Sequence, residues 1–358
     1  MTTAHFAKPR ILTGDTPTNT GLHLGHWVGS LERRVSLQDS YDCYFLIANI
    51  HAFTTLAEKP EQVRANTLGI IKDWLAAGID PDRSTIVIQS EIPAIAELSW
   101  FFAMLLTFND VMGNPTLIHE LETKGLKDSY SFGFPMYTVG QCSDILTFRP
   151  ELVPVGEDQE PHIEMCRKAA RKFNHTYCGV SVRTEDKDHA AQGGLFPVPK
   201  ALIGRVGRLV GTDGKAKMSK SLNNAIFLAE TEKAVQKKVN GIAAGRASTT
   251  APFSEDSPLL QYIRAFLPQE RADEIVAQCA AGKEVFDGHL KAEVGAAINA
   301  ILEPMRARRA KLEGEAGDAV VRDLLRTHTK KANAVAEETL YLAKEKMGLG
   351  WGKRTLVF

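Results

Sequence analysis

His23 and His26 stand three positions apart, with Gly25 between them, in the segment GLHLGH that runs from Gly21 to His26. Side chains at that spacing share one face of a helix. Two imidazoles so placed could ligate a metal together, but no third ligand stands at a fixed spacing and no HExxH is present. A plain helix N-terminus with polar residues would also account for the pair. A third reading is a phosphate site. The segment follows an expected strand and opens an expected helix, where unbonded backbone N–H groups and the helix dipole favour an anion. Gly25, with no Cβ, lets a ligand lie against the backbone, and both imidazoles can donate to phosphate oxygens.

A second group of residues suits the same ligand from far along the chain. In GTDGKAKMSKSLNN (Gly211 to Asn224), Lys215, Lys217 and Lys220 fall within six residues, between a glycine turn and a polar stretch. Such a run is commonly a solvated basic loop. It is also what a flap closing on a polyphosphate needs: ammonium groups that offset the charge building on leaving pyrophosphate. A third segment, VPVGEDQEPHIE (Val153 to Glu164), reads as a strand followed by a capped helix, with acids favoured by the dipole. Loops at a strand's carboxyl end are also where open α/β sheets bind ligands. Neither GxxxxGK[ST] nor a GxGxxG between strand and helix is found, and the terminal GLGWG (Gly348 to Gly352) follows a helix and reads as a tail.

The elements that must position these groups alternate. Arg10 to Gly14 reads as a short strand, Pro17 and Asn19 as a turn, and the chain from Gly25 as a helix with Val28, Leu31 and Val35 on one face. The continuous apolar run Cys43 to Ala52 has the look of a parallel strand covered on both faces. Pro60 to Ala77 follows as a helix with proline in its first turn. Thr85 to Gln89 and Leu152 to Gly156 read as further strands, Ala94 to Phe108 and Pro161 to Asn174 as further helices. The pattern predicts a doubly wound, Rossmann-like parallel α/β sheet over residues 1–228. Beyond it strand signals stop. Gly241 to Pro258 is an irregular connector, and Pro258 to Met347 is helical and charged. An all-helical second domain over residues 229–347 is expected, its last helix free to pack back on the first domain, and then a tail over 348–358.

Composition fits a soluble globular protein: 358 residues, 44% apolar and 24% charged, with formal net charge zero. Five scattered cysteines without a CxxC argue against a disulfide framework or a zinc knuckle and suit a reducing cytoplasm. The start lacks the apolar core of a signal peptide, and the longest greasy run, Trp100 to Phe108, is too short to span a bilayer.

His23-Leu24-Gly25-His26 near the N-terminus, followed by Lys217-Met218-Ser219-Lys220-Ser221, resembles the HIGH and KMSKS signatures of class I aminoacyl-tRNA synthetases. GEDQ at Gly156 to Gln159, with SDIL at Ser143 to Leu146, is similar to the tryptophanyl branch. The likeness runs over roughly residues 10 to 347. It implies that Thr16, Pro17, Thr18, Gly25 and His26 lie along ATP, that Gly156, Glu157 and Asp158 face the nucleotide from across the crevice, and that Leu209 approaches the adenine. Lys217, Met218, Ser219, Lys220 and Ser221 would close on the phosphates, and His23, His26, Lys217 and Lys220 would carry the catalysis. Asp144 would accept the indole N–H of tryptophan. Tyr137, Gln141, Gln159 and His51 would line the amino acid pocket. The chain departs from the family pattern at the first loop, one residue longer than usual, at Thr16 where Arg or Gln is common, at Cys142 and Ser143 in place of alanines, and at an extra residue before KMSKS.

The implied reaction has two steps. Tryptophan's carboxylate attacks the α-phosphorus of ATP to give an adenylate and pyrophosphate, and a terminal ribose hydroxyl of tRNA(Trp) then takes the acyl group. The carboxylate is already ionised, so positioning and charge stabilisation carry the first step. Magnesium is expected mainly on the phosphates, since Mg²⁺ keeps waters and takes few protein ligands; no protein metal site is expected. No editing site is expected either, because a site built to hydrogen-bond its substrate rejects analogues lacking that group. Basic clusters at Lys233, Lys237 and Lys238, at Arg306, Arg308, Arg309 and Lys311, and at Arg322, Arg326, Lys330 and Lys331 are either solvated helix faces or tRNA contacts. The resemblance also implies a cytoplasmic homodimer. Two rivals stay open: a tyrosyl-tRNA synthetase, and a non-catalytic RNA-binding relative.

Overall fold

The computed structural model describes residues 8–19, 21–126, 129–206, 209–215, 218 and 222–356. Strands β1 (Arg10–Asp15), β2 (Asp42–Ile47), β3 (Ser84–Ile88), β4 (Leu152–Val155) and β5 (Lys200–Ile203) form one parallel sheet in the order β3-β2-β1-β4-β5. Side chains alternate across it as a pleat requires. Ile11, Phe45 and Ile86 join one buried cluster, while Leu12, Tyr44, Leu46 and Val87 join the other. Both faces are covered, which is why these strands read as unbroken apolar runs.

Helices fill the connections. Leu24–His26 (α1), a π-helical turn at Trp27–Leu31 and Glu32–Leu37 (α2) follow one another without a break after β1. Between β2 and β3 come α3 (Asn49–Leu56) and α4 (Pro60–Ala77), the latter closed by Gly78 in the left-handed region at φ 113°. Helices α5 (Pro93–Leu105), α6 (Phe108–Met112), α7 (Pro115–Thr123) and α8 (Gly133–Thr147) lead to β4, and α9 (Glu160–Cys178) follows it. The remainder is helical: α10 (Glu232–Asn240), α11 (Pro258–Phe266), α12 (Gln269–Ala280), α13 (Asp287–Ala310) and α14 (Gly314–Lys346). The sequence reading ran the second strand on to Ala52 and overlooked β5. In the structure β2 stops at Ile47, and Asn49 opens α3.

The helical half shares the core of the sheet half. Val235, Leu259, Val294 and Leu302 belong to the same buried cluster as Ile11, Phe45 and Trp74. Helix α14 returns to the edge strand β3, whose outer N–H groups need acceptors. There the Ile86 N–H donates to His328 Nδ1 at 2.9 Å, and Asn333 Nδ2 donates to the Glu91 carbonyl at 2.8 Å. No described helix is long and apolar enough to cross a membrane.

Candidate active site

A crevice opens where the winding of the sheet reverses, between β1 and β4. These strands pair at Ile11 and Leu152. Pro154 then denies the ladder a donor, and the Thr13 hydroxyl bonds the Pro154 carbonyl at 2.5 Å instead. Past that point β1 and β4 leave a cavity of about 400 Å³ at their carboxyl ends, the usual ligand position in open α/β sheets. Asp15 forms its inner wall. Burial alone would raise the Asp15 carboxyl. Arg34, which donates to its two oxygens at 2.7 and 3.1 Å, and the Trp74 indole N–H at 2.8 Å outweigh that and hold it below the ordinary range.

The histidine turn lines one side. His23 caps α1, and its backbone N–H donates to His26 Nδ1 at 3.2 Å. An Nδ1 that accepts leaves the neutral His26 ring with its proton on Nε2. The two rings lie 3.8 Å apart between centroids. Gly25 sits in the wall, where an added Cβ would come within 3.0 Å of the His23 ring and 3.7 Å of Met218 Cβ. Met218 is the buried centre of the lysine-rich segment, and its N–H donates to the Leu209 carbonyl at 3.1 Å. The chain beyond that segment pairs with the turn: the Leu24 N–H donates to the Ile226 carbonyl and the Leu228 N–H to the Leu22 carbonyl, each at 2.9 Å. Two segments distant in the sequence thus meet at one lip of the crevice. Lys217, Ser219, Lys220 and Ser221 lie outside the described residues.

Deeper in the crevice, Asp144 stands on α8 with only 5% of its surface exposed. Gln89 Nε2 donates to both of its oxygens, at 2.8 and 2.9 Å, while Gln89 Oε1 accepts from the Ile50 and His51 N–H groups. Burial pushes the Asp144 carboxyl up to about 7, against the opposing pull of the Gln89 amide. Tyr137 stacks on His51 with centroids 4.2 Å apart. Its hydroxyl donates to Glu120 at 3.0 Å and lies 3.3 Å from His162 Nε2. Burial lowers His51 to about 3 and His162 to about 4, so both rings stay neutral at physiological pH. Thr16 Oγ1 lies 3.4 Å from His51 Nδ1, and Gln141 donates to Gln159 at 3.3 Å.

Of the residues singled out from the sequence, Thr16, Thr18, His23, Gly25, His26, His51, Tyr137, Gln141, Asp144, Gly156, Asp158, Gln159, Leu209 and Met218 all line this cavity. Pro17 is buried behind it, where its carbonyl accepts from Asn66, and Glu157 is exposed on a 3₁₀ turn beside it. The sequence reading missed Asp15, Arg34, Gln89, Glu120, Lys124 and His162. Asp15 and Gln89 stand at the carboxyl ends of β1 and β3, a position that alone could have marked them. Among the described residues no group of three or more His, Cys, Asp or Glu could hold a metal ion. The five cysteines are free thiols. Arg306, Arg308 and Arg309 are engaged internally, with Asn299, the Ala76 carbonyl and Asp73 respectively.

Comparison with known proteins agrees with this geometry. The family model of class I tRNA synthetases (W and Y) matches residues 6–303. The tryptophan--tRNA ligase of Treponema pallidum is 40% identical over 352 residues, covering 95% of this chain and 97% of that protein. The corresponding ligase of Streptococcus agalactiae is 39% identical, covering 97% of this chain and all of that one. Among solved structures, tryptophanyl-tRNA synthetase from Campylobacter jejuni, complexed with ADP and tryptophan, superposes with a TM-score of 0.74 at 28% identity, over 95% of this chain and 100% of that one. A tyrosyl-tRNA synthetase from Aeropyrum pernix shares the fold, with a TM-score of 0.66 at 18% identity and 90% of each chain covered.

Proposed function

From the premise that this chain belongs to the class I aminoacyl-tRNA synthetases for tryptophan and tyrosine, and within them to the tryptophan--tRNA ligases, we propose how its residues divide the work. The protein is an enzyme that uses ATP to attach L-tryptophan to tRNA through a tryptophanyl-adenylate. The observation that carries the assignment is the meeting of Gly25 and Met218 at the lip of a crevice whose depth holds Asp144.

Tryptophan's indole enters the deep end. Its N–H donates to the Asp144 carboxylate, which Gln89 holds in place. Tyr137, His51, Gln141 and Gln159 surround the amino acid, and the Glu120 carboxylate that Tyr137 engages supplies an anion for the ammonium. The nucleotide lies across the β1–β4 gap, between Thr16, Thr18, Gly25 and His26 on one side and Gly156 and Asp158 on the other, with the adenine near Leu209. Pro17 and Glu157 support this site from behind and beside it. The His26 Nε2–H meets the phosphates. Lys217 and Lys220, with Ser219 and Ser221, close from the Met218 segment and offset charge on the departing pyrophosphate. Magnesium travels on the phosphate oxygens. No side chain has to remove a proton for attack by an ionised carboxylate, so the site works by alignment and fixed charge.

The helical unit from residue 229 takes the tRNA, whose unpaired bases are read by stacking and edge hydrogen bonds. A cytoplasmic homodimer completes the proposal. The dimer is supported by an outward apolar row on α5 and α6, where Trp100, Met104 and Phe108 are 66%, 71% and 73% exposed. ATP–pyrophosphate exchange with each of the twenty amino acids tests the function. Exchange with tryptophan is expected. Exchange with tyrosine alone, or with none, would overturn the assignment.

A further inference from the structure

Leu22 immediately precedes the histidine turn, and its backbone N–H donates to Asp73 Oδ2 at 2.8 Å. Asp73 lies on α4, behind the crevice wall, and is buried. Its other oxygen accepts from Arg309 Nε at 2.9 Å, at the end of α13. Arg309 is itself steadied by Glu313 at 2.6 Å. The neighbouring Lys72 is ion-paired with Asp318 of α14 at 2.5 Å, so two adjacent residues of α4 are tied to the corner between α13 and α14. Residues 22–24 are therefore held from two sides. One side is the backbone pairing to 226–228, the chain just past the lysine-rich segment. The other is this single carboxylate.

We propose that Asp73 is a positioning residue for adenylate formation: through the Leu22 N–H it fixes the turn that presents His23 and His26, and Arg309 braces it from the helical half. The inference rests on the phosphate role given to that turn above. Asp73 touches no substrate, so its effect must fall on alignment rather than on tryptophan binding, whose pocket lies across the crevice. Losing a charged acceptor leaves a buried donor unpaired and lets the turn drift, and small misplacements of reacting groups are expensive in rate.

The test measures tryptophan-dependent ATP–pyrophosphate exchange and tryptophan binding by equilibrium dialysis, on the full chain, in Asp73→Leu, Asp73→Asn and Arg309→Met. Asp73→Leu should lower kcat by about 10- to 100-fold with tryptophan affinity within about twofold. Asp73→Asn, whose amide oxygen can still accept from Leu22 but whose nitrogen then faces the Arg309 donor, should recover part of that loss, and Arg309→Met, which keeps the carboxylate on Leu22, should lose less than Asp73→Leu. A kcat within about threefold of the parent in Asp73→Leu, an equal fall in tryptophan affinity, or an Asn variant no better than the Leu variant would overturn the proposal. If Asp73→Leu does not fold, an unchanged kcat in Arg309→Met overturns it. Absence of exchange in the parent enzyme would instead sink the functional reading, which keeps the two failures apart.

Discussion

Asp144 carries the sharpest consequence of the geometry. An indole N–H needs an acceptor, and only the ionised carboxyl presents acceptors alone; the protonated form turns one oxygen into a donor. Burial places this carboxyl at about 7, so near neutral pH the tryptophan-free enzyme is divided between the competent ionised form and a protonated form that keeps one carbonyl acceptor and binds the indole more weakly. Apparent affinity falls in proportion to the competent fraction. With an acid titrating at about 7, the dissociation constant should be raised at most about 1.1-fold at pH 8, but by up to about elevenfold at pH 6. The assay is equilibrium dialysis of tryptophan without nucleotide from pH 5.5 to 8.5, which keeps the titration of ATP out of the curve. His51 and His162 stay neutral throughout that window, since burial lowers them to about 3 and 4. The Asp144→Asn enzyme should bind weakly and with no slope. A parent whose affinity is flat from pH 6 to 8, or an Asn variant with the same inflection, would refute the reasoning.

Other expectations follow from the same site. Folding disfavours the charged form of Asp144, so its penalty is absent below the unfolded value near 3.8, grows as pH rises, and is complete above about 7. The stability of the parent relative to Asp144→Asn, which sets an amide nitrogen against the Gln89 donor at either pH, should therefore fall between pH 4 and pH 8 by an upper bound of about 4 kcal/mol, read by denaturant melts of both proteins at both pH values. Gly25→Val brings carbon to 3.0 Å from the His23 ring and 3.7 Å from Met218 Cβ, filling the wall the ligand lies against, and should cut exchange kcat about 100-fold while tryptophan binding by dialysis is unmoved. Lys217→Ala and Lys220→Ala should each slow adenylate formation by about 10²–10³ in single-turnover assays, without weakening tryptophan binding. Replacing Trp100 and Met104 together by Glu should shift the species seen by light scattering from dimer to monomer, with the fold intact by circular dichroism.

How far the molecule could be read from its sequence depended on whether a signal is local. Strands β1 to β4 were legible because a strand buried on both faces is a continuous apolar run. The same property hid the end of β2. Ala48 to Ala52 continues the run, and periodicity cannot separate a buried strand from a buried helix. What divides them is Gln89, whose amide oxygen accepts from the first turn of α3 at Ile50, 39 residues away, and His51, 38 residues away. Strand β5 is four residues long and begins with an exposed lysine, too little pattern to register. The site divides along the same line. His23, Gly25 and His26 announce themselves because their types are packed into one turn, whereas Gln89, Glu120 and His162 stand singly on β3's end, α7 and α9 and acquire meaning only where those elements converge. Charge clusters mislead for the converse reason. Arg306, Arg308 and Arg309 form a basic run in sequence, yet around a helix they bond to different neighbours, and Arg306 and Arg309 serve as half-buried braces. Burial decides which reading holds: a cationic run becomes a nucleic-acid surface only where its heads stay in solvent, and at the end of α13 Arg308 is still exposed while Arg306 and Arg309 are half-buried, Arg309 on the carboxylate that holds the histidine turn.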